Sequence, residues 1–168
     1  MEFKLRKWEL MDADDIALCA NNVEIANNLR NAFPFPYTLE DAKSYVSSCI
    51  KNADTTQICR AIVIDNHTVG SIGIFLGNDV YCKSGELGYW LAEEYWGKGI
   101  MSIAIKQLCQ MAFEQFDIIR IYAEPFAHNI GSRKVLEHAG FSLEGIMKQG
   151  VFKHGNIYDY CMYALLKA

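Results

Sequence analysis

Tyr95-Trp96-Gly97-Lys98-Gly99-Ile100-Met101-Ser102 sits where one kind of periodicity stops and another begins. Before it, Gly85-Glu86-Leu87-Gly88-Tyr89-Trp90-Leu91-Ala92 reads as a strand. After it, Ile100, Ala104, Leu108, Met111 and Ala112 fall on one face of a long helix. Glycines carry no Cβ, so the backbone N–H groups between them can approach an anion closely. A helix start adds unpaired N–H donors and about half a positive charge, and Lys98 adds a cation. Strand, glycine turn and helix together suit a pyrophosphate, although two glycines also occur in plain strand-to-helix turns.

On the N-terminal side, residues 3–10 alternate, with Phe3, Leu5 and Lys7 on one side, and lead into the acidic run at Asp12, Asp14 and Asp15, which suits a helix first turn. The spacing predicts one helix over 14–31. It stops at Phe33-Pro34-Phe35-Pro36-Tyr37, where two prolines force extended backbone. Thr38 then caps a helix carrying Leu39, Ala42, Tyr45, Val46, Cys49 and Ile50 at helical spacing and ending near Asn52. Residues 57–64 and 68–76 form an antiparallel pair joined by Asp65-Asn66-His67. On the C-terminal side come a strand over 118–124, a break at Pro125, a helix over 129–138 with Gly140 as its left-handed cap, and strands over 141–147 and 158–166. The expectation is an α+β fold, a single domain over 1–168. Its central sheet is mostly antiparallel and twisted, has six to seven strands, and is flanked by helices on both faces.

A chain of 168 residues, 51% hydrophobic, can bury one substantial core. With 16 basic against 20 acidic residues it carries a formal charge of -4 and has no field to hold a polyanion, so no direct nucleic-acid partner is expected. The six cysteines form no C-x-x-C pair and read as reduced core residues. His67, His128, His138 and His154 share no metal-ligand spacing with a cysteine or carboxylate, so no metal is expected. MEFKLRKWEL lacks the apolar core of a signal peptide, and no segment approaches the ~20 apolar residues of a membrane span. No membrane partner and a cytoplasmic location follow.

The glycine turn has a second motif downstream: Asn129-Ile130-Gly131-Ser132, Val135-Leu136-Glu137 and Gly140-Phe141. Together, in this order and spacing, the two resemble the acetyl-CoA motifs of the GNAT N-acetyltransferases. Phe33-Pro34-Phe35-Pro36-Tyr37-Thr38, Val69-Gly70-Ser71-Ile72-Gly73, Glu86-Leu87-Gly88-Tyr89-Trp90-Leu91 and Gly155-Asn156 with Asp159 are similar to the Rim-type branch. That branch acetylates protein N-termini, and many of its relatives act on small amines. The resemblance covers essentially the whole chain.

The resemblance implies roles for particular residues. The backbone of Trp96, Gly97, Lys98, Gly99, Ile100, Met101 and Ser102 would wrap the pyrophosphate of acetyl-CoA. The strand at Tyr89, Trp90 and Leu91 would splay from the strand over 121–124, and the pantetheine arm would enter that gap like an added strand. An N–H near Leu91 would polarise the thioester carbonyl as its oxygen gains charge. Asn129 would bond the arm, with Ser132 one helical turn further on.

The acceptor is then a primary amine, either a protein N-terminus or a small molecule, attacking directly in a ternary complex. Glu86 is the expected base, acting through an ordered water, and Ser132 the weak acid, with Tyr122 next. Phe33, Phe35 and Tyr37 would form an acceptor lid, and Asp159 would hold a cationic amine. On the residues alone these aromatics suit plain loop packing equally well, and Glu86 and Asp159 suit strand-end charges. Two other readings compete: a CoA-binding sensor without turnover on the same fold, and a nucleotide binder, which lacks the G-x-x-x-x-G-K-[ST] loop. A homodimer is the default assembly.

Overall fold

The N-terminal alternation condenses into a short strand, β1 (Lys4–Arg6), followed by α1 (Asp12–Cys19), whose first turn carries Asp12, Asp14 and Asp15 against the positive end of the helix. The computed structural model describes every residue, Met1–Ala168. The helix expected over 14–31 is in fact broken. α1 stops at Cys19, and a four-residue α2 (Val23–Ala26) starts afresh. The cause is the pair Asn21-Asn22. Asn22 is extended, and its side chain accepts from the Glu24 N–H, while the Asn21 Oδ1 accepts from the Tyr37 N–H at 2.9 Å. Side chains that bond the backbone compete with the helix for it.

α3 (Leu39–Lys51) opens on a complete capping box. Thr38 accepts from the Asp41 N–H, and the Asp41 side chain accepts from the Thr38 N–H. β2 (Gln57–Ile64) and β3 (His67–Leu76) are joined by Asp65-Asn66, both in the left-handed region at φ 50 and 66, as a tight hairpin turn requires. β4 (Ser84–Leu91), α4 (Ile100–Gln115), β5 (Arg120–Ala123) and α5 (Ile130–His138) follow as expected to within a few residues. Gly140, at φ +98, follows the α5 C-cap.

The last two strands run further than expected. β6 (Ser142–Lys153) and β7 (Asn156–Leu166) continue their pairing to Lys153 and Asn156 and turn at His154-Gly155, both left-handed. The polar stretch Lys148-Gln149-Gly150 hid this extension. It coincides with a register shift between Met147 and Val151, where Gln149 sits at φ 56, so period-2 alternation fails there.

The seven strands form one sheet in the order β1-β2-β3-β4-β5-β7-β6. β1 with β2, β5 with β7 and β6 with β7 are antiparallel, while β4 with β5 is parallel. The fold is α+β, a mostly antiparallel open sheet with helices flanking it. No helix is long and apolar enough to cross a membrane.

The chain resolves into two compact units: Met1–Gly73 with Gly88–Ile100, and Ile74–Leu87 with Met101–Ala168. The first buries Trp8, Ile16, Ile25, Val46, Cys59 and Trp90 in one cluster. The second buries Ile105, Leu108, Ile118, Ile121, Leu136 and Tyr163 completely. Each such aliphatic side chain contributes about 1.5–3 kcal/mol by leaving water. All six cysteines are free. Cys49, Cys59, Cys109 and Cys161 are buried, Cys19 is partly buried and Cys82 is exposed.

Candidate functional site

In the first unit the glycine turn lies directly before α4. Gly97 and Gly99 adopt φ +72 and +77, conformations that L side chains rarely take, and a Cβ built on either would meet nothing within 4 Å. These two glycines therefore keep a conformation rather than avoid a neighbour, and they leave open space at the start of the helix. The backbone there is exposed over residues 96–99, and Ile100, the first residue of α4, is buried. Exposed backbone at the head of a helix, with unpaired N–H donors and the positive end of the helix dipole, is a place where an anion can be held. The Lys98 ammonium lies 5.3 Å from the centre of the Tyr95 ring.

Just upstream, a short turn at Glu93–Tyr95 folds Trp96 back onto the end of β4, where its indole N–H donates to the Leu91 carbonyl at 2.7 Å. The aromatic loop divides by role. Tyr37 is 5% exposed and Phe33 is half-buried; Phe33 meets the Tyr37 ring at 5.0 Å and the buried Trp90 ring edge-on at 5.9 Å. Phe35 is 50% exposed and is the loop's surface aromatic. Burial pushes the Tyr37 phenol well above its usual value, as suits a packed ring. Tyr89 is half-buried on β4.

In the second unit Glu86 is half-buried on β4, in register with Tyr122 of β5. The parallel register runs from Ser84↔Arg120 to Glu86↔Tyr122, while β4 continues to Leu91. Met101 is buried in the first turn of α4, and the Ser102 hydroxyl donates to the Val135 carbonyl of α5 at 3.4 Å. Asn129 caps α5, its Oδ1 accepting from the Ser132 N–H at 3.2 Å. That commits the Asn129 oxygen to the helix and leaves its amide N–H₂ as the part suited to a ligand carbonyl.

Asp159 accepts from the Gln149 N–H at 2.8 Å and pairs with Lys148 at 3.2 Å; these two contacts hold its carboxyl below the usual range. Its charge is therefore already engaged at the β6 irregularity.

Several groups were invisible to sequence reasoning. Tyr163, fully buried on β7, donates to Glu137 at 2.9 Å and accepts from Arg133 at 3.1 Å, which ties two turns of α5 to the strand. Asn22 donates to Glu93 at 2.7 Å and so anchors the turn that precedes the glycines. The doubled asparagine was the one sequence signal available, since it marks a helix break.

The Acetyltransferase (GNAT) domain family matches residues 2–142. A putative ribosomal N-acetyltransferase, YdaF of Bacillus subtilis (strain 168), is 35% identical over 115 residues, covering 68% of this chain and 62% of that protein's length. An uncharacterized N-acetyltransferase, p20 of Bacillus licheniformis, is 30% identical over 165 residues, 97% of this chain and 92% of the relative. Among solved structures, the ribosomal-protein-S5-alanine acetyltransferase of Vibrio fischeri superposes with a TM-score of 0.84 at 25% identity, covering 99% of this chain and 93% of that one. The left-handed glycines before α4, the parallel β4–β5 register within an otherwise antiparallel sheet and these matches agree: the chain belongs to the GNAT family of acetyltransferases.

Proposed function

We propose that this chain, as a single domain over residues 1–168, transfers the acetyl group of acetyl-CoA to a protein N-terminal α-amine. The observation that carries the cofactor reading is the pair of left-handed glycines, 97 and 99, with open space above them at the head of α4. The protein acceptor is supported by relatives whose names say that they act on ribosomal proteins. Free cysteines suit a reducing cytoplasm.

Attack on a thioester needs a neutral amine. An α-amine titrates near ~7.7–8.0, so about a tenth or more is neutral at pH 7; a lysine at about 10.4 is neutral in only a few molecules per ten thousand. A modest base therefore suffices for an α-amine. Glu86 takes the proton through a water, the nitrogen bonds the acetyl carbon, the carbon–sulfur bond breaks, and the departing thiolate is protonated from Ser132 or solvent. The Leu91 N–H faces the thioester oxygen as charge builds on it. The backbone of Gly97, Lys98, Gly99, Ile100, Met101 and Ser102 holds the pyrophosphate, while Trp96, whose own N–H groups are already bonded, sets the turn before it. Asn129 and Ser132 bond the pantetheine arm, and Tyr89 and Trp90 belong to the strand it pairs with. Phe33 and Tyr37 support a lid on which Phe35 is the exposed contact. Asp159 orients the amine after exchanging Lys148 for it.

The test is a thiol-release screen with acetyl-CoA against N-terminal peptides and small amines. Release with peptides and not with polyamines or free amino acids is the expected result. Preference for a small amine moves the acceptor class, and tight acetyl-CoA binding with no release on any acceptor favours a sensor without turnover.

A further inference from the structure

The peptide plane joining Leu91 to Ala92 closes β4, and it is held at both ends. Its carbonyl accepts the Trp96 indole N–H at 2.7 Å, and its N–H, that of Ala92, donates to the Val69 carbonyl of β3 at 2.8 Å. The preceding plane, which carries the Leu91 N–H, is confined as well. A Cβ on Gly70 would come within 2.6 Å of the Trp90 carbonyl oxygen and 3.2 Å of the Leu91 Cα, so only a glycine lets β3 lie this close.

Trp96 is itself delivered rather than loosely placed. Its backbone N–H donates to the Glu93 carbonyl at 3.0 Å, and the Glu93 carboxylate accepts from the Asn22 side chain at 2.7 Å. Trp96 is 43% exposed, so burial is not what fixes it, and the one donor of its side chain goes to a strand end that already has a partner on the other side.

We propose that Trp96 is a positioning residue for acetyl transfer: its indole N–H locks the end of β4 and thereby aims the Leu91 N–H at the thioester oxygen. The inference rests on the acetyl-CoA reading above. A donor that stabilises a developing oxyanion works because it is oriented before the charge appears, and small misplacements are costly. With the Leu91 carbonyl anchored, rotation about the Leu91 Cα is restrained, and the N–H on the other side of that atom keeps its direction. Without the indole N–H, only the β3 contacts remain.

Two variants and two measurements test this. Trp96→Phe keeps a ring and removes the donor, whereas Trp96→Gln returns an amide donor on a chain of similar reach. CoA and acetyl-CoA affinities are read by calorimetry, and thiol release from acetyl-CoA is followed with water and with the best N-terminal peptide of the screen above as acceptors. Trp96→Phe is expected to bind CoA within about twofold of wild type and to release thiol roughly ten- to a hundredfold more slowly, with Trp96→Gln regaining most of the loss. Wild-type turnover in Trp96→Phe, or a loss confined to CoA affinity, overturns the positioning role. A wild-type protein that neither binds acetyl-CoA nor releases thiol overturns the acetyl-CoA reading, and this inference with it.

Discussion

Gly99 shows how one residue serves conformation and ligand together. At φ +77 a β-branched side chain is strained whatever the space around it, and the open volume above it is where the pyrophosphate would lie. Gly99→Val is therefore expected to fold with a modest stability loss of about 1–2 kcal/mol and to lose acetyl-CoA binding. A folded variant whose affinity by calorimetry matches wild type rejects the phosphate cradle. Glu86 poses the complementary case, because its side-chain type matters more than its backbone. Glu86→Gln preserves shape and removes the base, so turnover at pH 7 should fall by roughly a hundredfold with acetyl-CoA affinity little changed. Activity should return as pH rises and the amine deprotonates unaided, at lower pH for an α-amine than for a lysine. Full turnover in Glu86→Gln at pH 7 would place the base elsewhere. The glycines were legible in the chain because their chemistry is local. Glu86 is named as the base only through a resemblance, since a carboxylate on a strand has many uses, and its role stays a proposal until that variant is measured.

At the scale of elements, helix boundaries followed capping chemistry wherever the caps were complete. α3 starts at its Thr38/Asp41 box, and Thr38→Ala should cost about 1 kcal/mol, lowering the melting temperature by roughly 2–4 °C in a chain of this length. Because Thr38 faces helix α3 and not the glycine turn, the acetyl-CoA affinity of that variant should stay at the wild-type level; a linked loss would show that α3 contributes to the cofactor site. The helix over 14–31 failed as an expectation because apolar spacing at residues 16–29 continues across Asn21-Asn22, and spacing does not record that both side chains find backbone partners. The β6–β7 extension failed for the converse reason. A bulge at Gln149 breaks the alternation while the ladder resumes beyond it at Val151↔Tyr158.

At the scale of the molecule, two quantities read the fold as a whole. Saturating acetyl-CoA stabilises by mass action, about 2.7 kcal/mol at a hundred times its dissociation constant, or roughly 5–10 °C in melting temperature, and ATP or NADH should do much less. A shift with ATP and none with acetyl-CoA would discard the cofactor assignment. Acid tests the first unit's polar anchor. The buried Asp12 pairs with Arg6 through two hydrogen bonds at 2.8 and 2.7 Å and accepts from Thr68 at 2.7 Å and the Glu9 N–H at 2.8 Å. Burial pushes its carboxyl up, but these bonds outweigh it and the value falls below the usual range. A depressed folded value means stabilisation that is complete above the ordinary carboxylate range near 3.8 and lost as pH falls from there through the folded value. Asp12→Asn should therefore cost about 1–3 kcal/mol at pH 7, tempered by the partial exposure of Arg6, and should flatten the acid limb of a stability-versus-pH curve. An unchanged acid limb would mean that other carboxylates set it. Pieces that depend on neighbours along the chain were determined by the sequence itself: the glycine turn before α4, the Thr38 cap, the hairpin at Asp65-Asn66, and the motif spacing that carries the family. Pairings between residues far apart in the chain were decided only by the tertiary structure. Asn22 meets Glu93 across 71 positions, Asp12 meets Thr68 across 56 and Tyr163 meets Glu137 across 26, and no local periodicity encodes such partners. Even Trp96 and Leu91, five positions apart, meet only because a turn reverses the chain between them; hydrogen bonding selects whichever donor and acceptor the packed backbone brings within 3 Å.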